Sequence, residues 1–134
     1  MGQSATLVQG GEVLMQRFGG WPSFHDAEVV SLELQRASAV LIIHVYVFQM
    51  LKETDERGFF RQQNHSLVAF RFTGVEELEL HDFNEQNVIA GLDVERVNDK
   101  LKVVLHPCYG LNGQFVCVKA EAVSVEPCEP PERS

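Results

Sequence analysis

The chain has 134 residues, 45 % of them hydrophobic and 22 % charged, a composition that suits one folded domain with a sizeable core rather than a disordered segment. Eleven Lys and Arg against nineteen Asp and Glu leave a net charge of −8, so the basic footprint that nucleic acid or an anionic membrane surface demands is missing. The longest apolar run, Val40 to Val47, is interrupted by His44 and falls far short of the roughly 20 residues of a membrane span; with no basic-then-apolar leader at the N-terminus, a soluble, cytoplasmic protein is expected.

In chain order, the first element predicted is a short helix. Leu14 and Phe18 lie four apart in the segment Glu12 to Phe18, Arg17 falls in its last turn, and Gly19 is suited to cap its C-terminus. The turn that follows, Phe18-Gly19-Gly20-Trp21-Pro22-Ser23-Phe24-His25-Asp26-Ala27-Glu28, holds the only Trp of the chain and launches a strand. From there period-two alternation dominates. Val30, Leu32 and Leu34 share one face of a half-buried strand, and Gln35 to Ser38 reads as a turn. The β-branched and aromatic run Val40 to Phe48 predicts a central strand covered on both faces and paired antiparallel to the one before it.

Lys52 to Asn64 breaks the alternation and is expected to be a long charged loop. Strands resume over Ser66 to Phe72 and Glu77 to Leu80; Phe83 to Asn87 is rich in turn formers. Ile89 to Val97 and Lys100 to His106 flank Asn98-Asp99 as a tight hairpin, and Gln114 to Val125 reads as one long final strand. The architecture expected is α+β and mostly β, an antiparallel sheet of about seven strands with a short N-terminal helix. Residues 1–127 form its single globular domain and residues 128–134 a flexible Pro/Glu-rich tail.

Cys108, Cys117 and Cys128 show neither zinc-ligand spacing nor a disulfide framework. If Asn112-Gly113 were a two-residue turn, Cys108 and Cys117 would face each other across a hairpin; a longer loop over Tyr109 to Gly113 would shift that register.

Two kinds of site merit weighing. His25 and Asp26 are adjacent, with Glu28 two residues on. Asp26 is read as a latch that accepts backbone N–H groups of the Trp21-to-Phe24 turn. The alternative is a small metal-assisted hydrolase or ligand-binding β domain using His25 and Asp26. The five histidines, at 25, 44, 65, 81 and 106, lack the close spacing of zinc ligands, His44 reads as a core imidazole and His65 as a solvated loop residue. No nucleophile elbow or phosphate-binding glycine loop is present, so neither catalytic residues nor a cofactor are called for. The second kind is acidic: Glu53, Asp55 and Glu56 on the charged loop, and Glu76, Glu77 and Glu79 on or near a strand, are candidate partner-binding residues.

Three blocks, in order, resemble the immunity protein 50 family of bacterial polymorphic toxin systems. The first is Phe18 to Val29, which includes Trp21, Phe24, His25, Asp26 and Glu28. The second is Val75 to Ile89, with Phe83-Asn84 and Gln86-Asn87-Val88-Ile89, and the third runs from Tyr109-Gly110 through Gly113 and Phe115 to Ser124-Val125-Glu126-Pro127. The resemblance spans roughly residues 14 to 127. It implies a small mixed domain that neutralises a cognate protein toxin by binding rather than by turnover, and it brings no catalytic residues with it. The acidic balance of the chain agrees with a basic toxin.

Overall fold

The computed structural model describes residues 6–129, except for the side chain of Phe60; residues 130–134, most of the expected tail, lie outside them. Nine strands and one helix make up the described chain: β1 (Val8–Gln9), α1 (Gly11–Phe18), β2 (Ala27–Gln35), β3 (Val40–Thr54), β4 (Phe60–Thr73), β5 (Glu76–His81), β6 (Val88–Val97), β7 (Lys100–Tyr109), β8 (Asn112–Cys117) and β9 (Lys119–Pro127). They form one mixed sheet in the order β1-β9-β4-β3-β2-β6-β7-β8-β5, in which only the two-residue β1 is parallel to its neighbour. The mostly β, largely antiparallel class and the short N-terminal helix are as expected, with nine strands in place of seven. Gly19 caps α1 in the left-handed conformation, φ 72°, and its N–H bonds to Met15 O.

The two additional strands have separate origins. β1 is too short to leave a periodic signal. The run from Gln114 to Val125 is divided at Val118, because β8 pairs with β7 and β5 whereas β9 pairs with β4 and β1. At the division Val118 is 61 % exposed, and its N–H bonds to Thr73 O at 2.9 Å. The buried parity changes there, from Phe115 and Cys117 to Ala120, but apolar Val116, Val118, Ala120 and Ala122 run through the break on one parity, so the sequence pattern does not record it.

The sheet folds over a single core. Phe72 on β4 and Phe115 on β8 belong to strands that are not neighbours, yet their rings meet edge to face at 5.0 Å. Leu41, Ile43, Val45, Val68, Phe70 and Phe72 enter the core from one half of the sheet. Leu92, Val94, Leu101, Val103, Leu105 and Phe115 enter from the other, and Leu14 and Phe18 of α1 complete it. Alternation in β3 explains the partition: residues 41, 43, 45 and 47 are buried inward, and of the opposite face only Tyr46 is buried. Tyr46 is covered there by Phe48 and by His65, with which it stacks at an interplanar angle of 4°. His65 is thus not a solvated loop residue. It lies on β4 with its Nδ1 2.6 Å from the Tyr46 hydroxyl. His44 is on the outer face rather than in the core, bonded to Ser31 Oγ at 2.9 Å.

Lys52 to Asn64 is not a loop. β3 continues to Thr54 and β4 begins at Phe60, with Gln49–Gln63, Met50–Gln62 and Thr54–Phe60 in register. β2 leaves β3 at Tyr46, and β9 leaves β4 at Ser66. Beyond those points the two strands form a ribbon that projects alone, with Met50 and Phe59 exposed beside its polar and charged side chains, so neither face is buried and no alternation could announce it. Asp55 makes its turn: Oδ1 accepts the N–H groups of Arg57 and Phe59 at 2.9 and 3.0 Å. The root of the ribbon is tied to α1. The Arg17 guanidinium donates to Ser66 Oγ and to His65 O, and Asn64 Nδ2 donates back to Arg17 O at 3.0 Å.

The suggested pairing of Cys108 with Cys117 is overturned by the register of β7 and β8. Leu105 faces Gly113 and Leu101 faces Cys117, because the connection is longer than two residues. Cys117 is in the core and Cys108 is exposed; all three thiols are free. Burial pushes the Cys117 thiol up to about 11 and also raises Cys128. In native protein at pH 8, a thiol reagent should therefore label Cys108 first and Cys128 more slowly. Cys117 should react only on unfolding, a sequence that mass spectrometry of peptides from timed quenches will resolve.

Candidate functional site

The three sequence blocks that resemble a known family come together in space. β2 and β6 meet only at Ala27–Ile89 and Glu28–Val88, and the first and second blocks supply both sides of this seam. Asp26 N–H bonds to Ile89 O at 3.0 Å, and Val29 N–H bonds to Asn87 O at 2.8 Å. The third block joins them through Asn87, whose side chain is buried at 2 % exposure. Asn87 Oδ1 accepts the N–H groups of Asn84 at 2.8 Å and Leu111 at 3.1 Å, while Nδ2 donates to Asn84 O at 2.7 Å. One amide thus binds a turn, the β7–β8 connection and the start of β6. Gly110 is required beside it: at φ 82°, an added Cβ would fall 2.7 Å from Gln86 O and 2.9 Å from Asn87 Oδ1. Sequence reasoning placed Asn87 in a turn-rich segment but assigned it no role.

The first block is folded by its aromatic residues. Phe24 is buried between Trp21, at 5.8 Å, and Phe70, at 6.0 Å between ring centroids. Phe24 and Asp26 both adopt left-handed backbone, φ 61° and 65°, and Ala27 N–H bonds back to Phe24 O at 3.0 Å. Glu28 is buried at the seam. The proposed latch operates differently from expectation. Among the described residues, the Asp26 carboxylate accepts no N–H of the Trp21-to-Phe24 turn, and His25 Nε2 lies 3.7 Å from its Oδ2. Asp26 closes the turn with its backbone.

The remaining ionisable side chains are dispersed. His106 Nε2 lies 2.7 Å from Asp93 Oδ2 on the outer face of β6 and β7. Among the described residues, no three His, Cys, Asp or Glu side chains gather closely enough to hold a metal ion. The six acidic candidates fall into two groups. Glu53, Asp55 and Glu56 occupy the end of the projecting ribbon, and Glu76, Glu77 and Glu79 occupy the edge strand β5. β4, running from Phe60 to Thr73 between the two places, spans roughly 40 Å at 3.3 Å per residue. One partner surface of ordinary size does not span both ends.

Two substitutions separate structural from chemical roles in the first block. Asp26→Ala should cost about 1 kcal/mol, because an alanine resists left-handed backbone. Asp26→Gly and Asp26→Asn should be near neutral, in denaturant titrations of purified protein; a role for the carboxylate would make Asn as harmful as Ala. Asn87→Ala should cost about 1–3 kcal/mol by leaving the buried Leu111 N–H unpaired and releasing the Asn84 turn, measured in the same titrations.

Comparison with known proteins agrees with the way the three blocks are used. The sequence model of the immunity protein 50 family matches residues 10–128, which include α1 and β2 to β9 almost to their last described residues. Neither curated proteins nor solved structures gave a match. No helix among the described residues is long and apolar enough to cross a membrane. The chain belongs to the immunity protein 50 family.

Proposed function

We propose that this chain neutralises a cognate protein toxin of a bacterial polymorphic system, by binding it in the cytoplasm and without turning over a substrate. The observation that carries this reading is the family match over residues 10–128. The use of the motif residues supports it. Trp21, Phe24, Asp26, Asn87 and Gly110 are spent on shaping a turn and closing the β2–β6 seam, which leaves the outer surfaces of the sheet to vary with the partner. The net charge of −8 favours a basic toxin, since complementary fields accelerate encounter.

Tagged protein captured from its own host at low salt tests this directly. One larger polypeptide with a toxin-like terminal domain should co-purify in stoichiometric amount, and the purified pair should form a stable complex in which the toxin is inactive. A toxin domain that stays fully active in the complex, or the absence of any stoichiometric partner, would reject the proposal.

A further inference from the structure

The outer face of the β6-β7-β8-β5 half of the sheet differs from the rest of the surface. Core residues Val94, Val103 and Phe115 lie in one cross-strand row. The adjacent row, Glu95, Lys102, Val116 and Glu76, points the other way, as does the row of Asp93, Val104, Gln114 and Glu79. With Glu77 and Asp99, these rows bring six carboxylates to one face. Lys100 and Lys102 oppose them, so the face has a net of four negative charges, half of the chain's −8. Lys100 is engaged by Glu76 at 2.6 Å and Glu79 accepts from Gln114 at 3.2 Å, whereas Glu77 has no hydrogen-bond partner among the described residues.

Across this face runs a shallow groove of about 540 Å³, from Val97 at the end of β6, past Lys102 and Val116, to Glu77 and Glu79 on β5. A second hollow of about 320 Å³ continues it around Asn98 and Asp99. Leu78, Val97, Phe115 and Val116 give the groove its apolar surface, Lys102 and Gln114 interrupt it, and Glu77 and Glu79 set carboxylates on the β5 rim. That combination fits a side chain with an aliphatic stem and a cationic head, which is lysine or arginine. The rest of the surface fits such a ligand less well. The projecting ribbon carries Lys52, Arg57 and Arg61 against Glu53, Asp55 and Glu56, so it is electrically neutral. On β9, Glu121 already holds Arg71 at 3.0 Å with Lys119 at 3.7 Å, and the Arg71 hydrogen bond keeps its carboxyl below the usual carboxylate range.

The backbone of β5 is not the docking element. Pairing with β8 is interrupted between Glu76 and Glu79, Glu77 is left-handed at φ 54°, and carboxylates line the strand; all of these discourage addition of another strand. We infer that the groove between Val97 and Glu77–Glu79 is the toxin-docking surface, and that it receives a lysine- or arginine-bearing segment of a basic toxin by side-chain contacts. This rests on the binding function proposed above and selects Glu76, Glu77 and Glu79 over Glu53, Asp55 and Glu56.

A blocked decapeptide alternating Arg and Gly, titrated into ¹⁵N-labelled protein, tests the surface without the toxin. Amide shifts should concentrate at Glu77, Glu79, Val97, Lys102 and Val116. Glu77→Lys with Glu79→Lys should weaken binding about tenfold and leave the melting curve in place, while Glu53→Lys with Glu56→Lys should leave affinity unchanged. Shifts centred on the ribbon, uniform shifts over the surface, or equal affinity of the Glu77/Glu79 double variant would overturn the assignment. The same two variants in the capture experiment distinguish its failure from that of the binding function. A toxin captured by wild type and equally by the Glu77/Glu79 variant overturns this surface alone. Peptide binding at the groove with no toxin recovered by wild type leaves the groove standing and removes the immunity function.

Discussion

The two halves of the sheet are joined along β2 and β6 by Ala27–Ile89 and Glu28–Val88 and by nothing longer. So brief a ladder supplies little cohesion, and the seam is closed instead by the buried amide of Asn87. A primary amide is well matched to this task, because its oxygen accepts the backbone N–H groups of Asn84 and Leu111 while its nitrogen donates to the Asn84 carbonyl. At the buried Leu111 N–H water does not replace the bond when it is lost, and the cost of an unpaired group applies in full. The turn at Trp21 to Asp26 depends on the same closure, since the backbone of Asp26 is held by Ile89.

Much of this was legible in the sequence, for identifiable reasons. Local signals were enough for α1 and its Gly19 cap and for the Asn98-Asp99 hairpin, and alternation was enough for the strands whose inward face is apolar. The ribbon escaped notice because both faces of Gln49 to Thr54 meet solvent, and a strand without a buried face has no periodic signature. The division at Val118 escaped for the opposite reason: apolar residues on one parity, Val116 to Ala122, run through the break and mask the change of buried face from Cys117 to Ala120. Asn87 was visible as a turn former, but its bonds to Leu111 link residues 24 apart, and no local window contains such a pairing. At the candidate site, Trp21 packs on the buried Phe24 and Glu28 is buried at the seam. Asp26 is structural through its backbone conformation, which residue type alone suggests only weakly.

The distribution of charge gives the surface a polarity that the net value conceals. The ribbon is neutral, the β9 side has its principal carboxylate engaged by Arg71, and half of the net charge of −8 lies over β5 to β8. A basic partner would be drawn toward one face and oriented before contact. The carboxylates on β5 also discourage the edge of the sheet from pairing with another chain, so the surface proposed for docking would serve solubility as well.

The position of β9 between β1 and β4 has a consequence for how the protein comes into being. Val8 and Gln9 pair with Ala120 and Glu121, and Ser66 pairs with Pro127. Until those late residues leave the ribosome, β4 has an open edge and β1 has no partner, and the apolar face of the β3–β4 hairpin is only partly covered. Contacts over such sequence separations form slowly, and the nascent chain must stay soluble through that interval. The exposed hydroxyl, amide and charged side chains of the β3–β4 ribbon are among the first parts of the sheet to be made, and they give the unfinished chain a polar surface to present while it waits for its last strand.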